Sequence, residues 1–67
     1  MPKKIRELKN MLRKAGFSMR PGKGSHTRWY HPRRVGRVVV SGSDGDDAKP
    51  YLEKQVEAAI REVEGSS

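Results

Sequence analysis

Between residues 3 and 15 the apolar side chains Ile5, Leu8, Met11, Leu12 and Ala15 recur at steps of three and four, with lysines and arginines between them. That spacing gathers them on one stripe of an α-helix. Gly16 stands where a left-handed residue commonly closes a helix, so the predicted helix ends there. The period then changes to two. Phe17-Ser18-Met19-Arg20 reads as a short strand with Phe17 and Met19 on one face. Pro21-Gly22-Lys23-Gly24 has the composition of a turn. Residues 25–31 follow, rich in the strand-favouring Thr27, Trp29 and Tyr30. Pro32 cannot donate to a ladder and ends this strand. Residues 33–36 make the next turn, and residues 37–41, around Val38-Val39-Val40, make a third strand. Short connections between three strands predict an antiparallel meander.

Residues 41–47 form a polar, glycine-containing loop, after which a second helix is expected to start at Lys49 or Pro50. Its apolar stripe is Leu52, Val56, Ala59, Ile60 and Val63. Asp44, Asp46 and Asp47 lie just upstream, where negative charge is expected to suit the start of this second helix. The predicted class is therefore α+β, in the order αβββα, with two amphipathic helices covering one face of a three-stranded antiparallel sheet. Residues 1–64 are read as a single domain and residues 65–67 as a flexible tail. There are no internal repeats.

Alternation divides the second strand into two sets. His26, Arg28 and Tyr30 share one face; Ser25, Thr27, Trp29 and His31 share the other. If Trp29 lies beneath the helices, His26, Arg28 and Tyr30 occupy the open face. The pattern alone leaves open whether Trp29 or Tyr30 is the buried aromatic.

Composition narrows the function classes. A chain of 67 residues buries only about 60% of the surface its unfolded form exposes, so its core is thin. It has no cysteine, which excludes disulfide staples and thiolate zinc sites and fits a reducing compartment. Its two histidines, His26 and His31, point to opposite faces and do not form a metal site, so no metal and no cofactor are expected. No apolar run is longer than three residues, as in Val38-Val39-Val40, far short of the roughly 20 residues of a spanning helix. Residues 1–7 have no apolar stretch behind their positive charges, unlike a signal peptide. A cytoplasmic location without a membrane partner is expected.

The net charge is +7, unevenly spread: residues 1–37 hold 12 of the 15 Lys and Arg and one acid, Glu7, while the remainder holds 3 bases and 7 acids. A basic front with arginines among aromatics predicts a polyanionic partner, and nucleic acid is the commonest. The competing reading is a solvated, solubilising surface.

The densest chemical signal is Lys23-Gly24-Ser25-His26. It sets a histidine at a strand start, after a glycine turn and among Arg20, Lys23 and Arg28. Imidazole is the side chain that changes protonation nearest neutral pH, and it serves as acid or base. In RNA cleavage the proton it takes comes from the ribose 2′-hydroxyl, and neighbouring cations stabilise the charge that builds on phosphoryl oxygens. Taken alone, such a histidine is more often a satisfied turn residue, and His31 before Pro32 more often still. Gly22-Lys23-Gly24-Ser25 is faintly like the end of a P-loop, but its leading glycine is misplaced. Residues 43–47 are faintly like a calcium loop without its glycine and closing glutamate, and helix capping accounts for them better.

Gly16-Phe17, then Lys23-Gly24-Ser25-His26, then His31-Pro32, set between an N-terminal amphipathic helix and a short C-terminal one, resemble the HicA toxins of type II toxin–antitoxin pairs. Gly45-Asp46-Asp47-Ala48-Lys49, continuing to Tyr51 and Glu53-Lys54, is similar to one branch of that family. The resemblance spans roughly residues 3–63. It implies a fold like that of double-stranded RNA-binding domains, metal-independent cleavage of messenger RNA by the histidine at position 26, and inhibition by an acidic HicB-like antitoxin. The RNA-binding residues expected beside His26 are Arg20, Lys23, Gly24, Ser25, Arg28, Tyr30 and Arg37. The alternative is a non-catalytic basic RNA-binding module of the same fold, in which His26 has no special role; a third is a piece that only docks to a protein partner.

Overall fold

A computed structural model describes residues 3–65; Met1, Pro2, Ser66 and Ser67, and with them most of the expected tail, lie outside the described residues. The order is α1 (Ile5–Lys14), β1 (Ser18–Pro21), β2 (Thr27–Tyr30), β3 (Val38–Val40) and α2 (Pro50–Glu64). The strands form one antiparallel sheet in the order β1-β2-β3. This is the αβββα arrangement that the periodicity predicts.

The two helical stripes and one face of the sheet meet in a single cluster. Ile5, Leu8 and Leu12 come from α1, Trp29, Val38 and Val40 from the sheet, and Leu52, Val56, Ala59 and Val63 from α2, joined by Phe17 and Ala48. Trp29 is fully buried, which settles the question left by alternation. Its indole N–H donates to Thr27 Oγ1 at 2.9 Å, and Thr27 Oγ1 in turn donates to the Val40 carbonyl at 3.2 Å. The one polar atom of the ring is thereby satisfied inside the core. The Arg13 guanidinium lies over the ring, 5.4 Å from its centroid, and closes the core on the α1 side.

The ends of the elements follow from hydrogen bonds that the periodicity does not register. Gly16 has φ 97°, and the N–H groups of Gly16 and Phe17 bond to the carbonyls of Arg13 and Leu12. This is a Schellman cap. It takes the Phe17 N–H out of the ladder, so β1 starts one residue later than expected. A Cβ at Gly16 would also stand 3.2 Å from His31 Nε2, so both the backbone angle and the space require glycine. At its other end β1 runs into Pro21, which is tolerated because β1 is an edge strand. Met19 pairs with Trp29 and so shares its face, but it is 44% exposed because it stands at that edge.

The acidic loop departs from the expectation. It serves α1, not α2. The N–H groups of Ile5 and Arg6 donate to the carbonyls of Asp46 and Asp44, and Lys4 and Asp47 form an isolated bridge. Lys4 Nζ pairs with Asp47 at 2.6 Å and Lys9 Nζ with Asp44 at 2.7 Å. Proximity in sequence suggested the following helix. The loop instead folds back over the first turn of α1, whose orphan N–H groups and lysines complement it. The start of α2 carries Lys49 as its cap residue and Pro50 in its first turn. Among the described residues no helix is long and apolar enough to cross a membrane.

Candidate nucleic-acid interface

With both helices on the Trp29 side, the other face of the sheet is open. Register assigns its residues. Arg28 pairs with Arg20 on β1 and Val39 on β3, and Tyr30 pairs with Ser18, so these side chains share that face. Arg20, Arg28 and Val39 are exposed and Tyr30 is half-buried.

His26 stands in the turn that leads into β2. Its N–H donates to the Lys23 carbonyl at 3.0 Å, and its own carbonyl accepts from the Gly22 N–H at 2.9 Å. These two bonds fix the backbone from which the exposed imidazole projects. Gly22 is close-packed beneath it: a Cβ there would meet the His26 carbonyl oxygen at 3.1 Å and the His26 Cβ at 3.4 Å. Gly24 and Ser25 form the exposed tip of the turn, and Ser25 Oγ accepts from the Gly42 N–H at 3.3 Å, tying the turn to the chain after β3.

Beside His26 the surface falls into a hollow of about 590 Å³ lined by Pro21, Gly22, Lys23, His26, Arg28, Arg37 and Val39. Of the residues singled out in the sequence, His26, Lys23, Arg28 and Arg37 meet here. Arg20 and Tyr30 lie on the same open face without lining the hollow, and Gly24 and Ser25 sit on its rim turn. Pro21, Gly22 and Val39 were missed. Val39 was hidden inside an apolar triplet that reads as core, although period two already sends the middle of three strand residues to the opposite face.

The charges on this face are unneutralised. The three ion pairs among the described residues join Lys4 to Asp47, Lys9 to Asp44 and Arg34 to Glu62, and none of these six side chains lines the hollow. Arg20, Lys23, Arg28 and Arg37 have no carboxylate partner among the described residues. No Asp or Glu occurs between Glu7 and Asp44, so none of the three strands carries an acid. Arg28 Nη2 donates to the Pro21 carbonyl at 3.2 Å, which ties its guanidinium to the end of β1 beside the hollow.

His31 is employed differently. Its Nδ1 accepts from the Arg33 N–H at 3.0 Å, so the ring proton sits on Nε2, which donates to the Ala15 carbonyl at 3.1 Å. Its ring packs on Phe17 with centroids 5.0 Å apart. Both nitrogens are committed to holding the β2–β3 turn against the end of α1. Among the described residues no group of three or more His, Cys, Asp or Glu side chains is placed to hold a metal ion.

Comparison with known proteins adds the family. No curated protein and no solved structure matches the chain. A family profile described as HicA toxin of bacterial toxin-antitoxin matches residues 5–64, from the first residue of α1 to the last of α2. Because that span takes in every helix and strand, and the His26 turn with them, the chain belongs to the HicA toxin family of bacterial toxin–antitoxin systems.

Proposed function

We propose that this toxin is a metal-independent endoribonuclease that cuts messenger RNA in the cytoplasm, with His26 as its general base, and that a HicB-like antitoxin inhibits it. The observation that carries the reading is the placement of an exposed imidazole on the rim of a hollow whose cations, Lys23, Arg28 and Arg37, have no carboxylate partner among the described residues. Phosphates of a bound strand supply the missing counter-charge. His26 takes the proton of a ribose 2′-hydroxyl, and the freed O2′ attacks the adjacent phosphorus. The bond from phosphorus to the 5′ oxygen of the next nucleotide breaks, and that oxygen takes a proton from solvent. The guanidinium groups of Arg28 and Arg37 and the ammonium of Lys23 stabilise the charge that accumulates on the phosphoryl oxygens. Arg20, Tyr30 and the backbone at Gly24 and Ser25 extend the contact with RNA along the open face.

The test is cleavage of a long single-stranded RNA with chelator present. Wild type cuts; His26→Ala loses about 10²- to 10⁴-fold in rate, the range that proton transfer by a positioned side chain contributes, while binding RNA and melting as wild type does. Cleavage at the wild-type rate by His26→Ala would overturn the mechanism. Cleavage restored only by added magnesium or manganese would assign the protein to another nuclease class. Binding without cleavage in the wild type would leave a basic RNA-binding module.

A further inference from the structure

The hollow beside His26 has a feature that a phosphate-binding surface does not need. Its floor is apolar. Val39 is 37% exposed, and with Pro21 it lies among Lys23, Arg28 and Arg37. A solvated cationic face gains nothing from an exposed valine among its charges. An A-form duplex has little use for it either, since it turns 2′-hydroxyls and phosphates outward and keeps the faces of its bases stacked. An unpaired nucleotide matches both parts: its base lies against apolar surface or a guanidinium plane, and its phosphates meet the surrounding cations.

We propose that this hollow is a subsite for one unpaired nucleotide, with Val39 and Pro21 as the platform for its base. The volume of about 590 Å³ falls within the roughly 300–1,000 Å³ typical of small-ligand sites. Arg28 is the pre-set wall. Its bond to the Pro21 carbonyl ties the guanidinium to the end of β1, so little freedom is lost when a base covers it. Arg37, just before β3, lines the same hollow as Val39 and supplies a second guanidinium. Val39 is thereby the specificity-determining residue of the site: it discriminates looped or single-stranded RNA from duplex, while the cations bind either. His26 lines the same hollow, which brings the ribose of the seated nucleotide beside the imidazole. In that orientation the subsite rests on the nuclease reading, but its occupancy is measurable without cleavage.

The experiment uses RNA hairpins with 2′-O-methyl riboses, which offer no nucleophile, carrying 2-aminopurine either in the loop or paired in the stem. The full chain should bind the loop-labelled hairpin with a change in 2-aminopurine fluorescence and leave the stem-labelled signal unchanged. Val39→Thr keeps the branched shape of an exposed strand residue and replaces one methyl with hydroxyl. It should weaken binding of the loop-labelled hairpin by about fivefold and leave affinity for a plain duplex unchanged, whereas Val39→Phe should tighten the loop complex. Melting curves of both variants should match wild type. Equal affinity for loop and duplex with no effect of either substitution would overturn the subsite. If the loop probe binds with the expected dependence on Val39 but unmodified RNA stays intact, the nuclease reading fails and the subsite stands.

Discussion

His26 and His31 are five positions apart, yet their surroundings commit them to different tasks. His31 has a partner on each ring nitrogen and an aromatic neighbour in Phe17. His26 has backbone partners only and an exposed side chain beside three cations. Replacing His31 with alanine should therefore cost about 1–3 kcal/mol of stability, the range for losing the partners of buried or half-buried polar groups, and leave RNA cleavage near the wild-type rate under conditions where the variant is folded. Denaturant titration and the RNA assay, run on the same preparation, would check this; a folded His31→Ala protein without cleavage would show that the other histidine carries the chemistry. Strand alternation separated the two histidines in the sequence, but both lie just outside β2, and turn hydrogen bonds place them instead. The commitments of His31 were not legible there, since the Ala15 carbonyl and the Arg33 N–H are brought to it by two separate turns.

Among the elements, the periodic ones were read from the sequence and the irregular ones were not. The stripes of α1 and α2 report burial directly, so their place in the core followed from spacing, whereas the alternation of β2 divided its faces without saying which one Trp29 would bury. The residues that end each element obey local hydrogen bonds instead: Phe17 joins the α1 cap, and His26 belongs to the turn before β2. The partner of the acidic loop is a long-range matter. No spacing rule could show that residues 43–47 return to α1, some forty positions earlier. That loop makes acid pH a test of the contact. The Lys9 ammonium, by hydrogen bond and by charge, holds the Asp44 carboxyl below its ordinary value of 3.8, with Arg13 and Arg6 adding to the effect. The folded state therefore binds fewer protons at Asp44 than the unfolded chain does. Its contribution is complete above the ordinary carboxylate value and is lost as pH falls through the lower folded one. Asp44→Asn should be slightly less stable than wild type at neutral pH and should lose less stability on acidification to about pH 3. The difference should shrink in high salt, because the carboxylate is exposed. Denaturant midpoints at the two pH values would measure it, and identical acid profiles would remove Asp44 from the account.

For the molecule as a whole, the uneven charge of the sequence becomes a division of labour between its faces. Acids from the second half of the chain pair with Lys4, Lys9 and Arg34, so the back of the molecule is partly neutralised. The sheet face receives no such partner, and much of the net charge of +7 is left where the hollow lies. A HicA toxin works within a toxin–antitoxin pair, and nothing among the described residues covers His26. In the proposed function the antitoxin supplies the restraint, and an acidic antitoxin surface laid on Lys23, Arg28 and Arg37 would both occupy the hollow and speed encounter through electrostatic attraction. The expected outcome is specific. Lys23→Glu combined with Arg28→Glu should weaken the toxin–antitoxin complex by more than tenfold, as loss of close charge pairs at an interface does. Glu57→Lys, on the exposed side of α2, should leave the complex unchanged. Association should also slow as salt is raised from low to physiological levels, because steering acts over the Debye length of about 8–10 Å. Calorimetry and stopped-flow mixing of the purified partners give both quantities, and amide exchange on the complex gives the location. Protection of residues 22–28 and 37–41 is the pattern expected of a masking antitoxin. An antitoxin that binds tightly, blocks cleavage and leaves those amides exchanging freely would have to act from elsewhere on the molecule, and direct masking would be wrong.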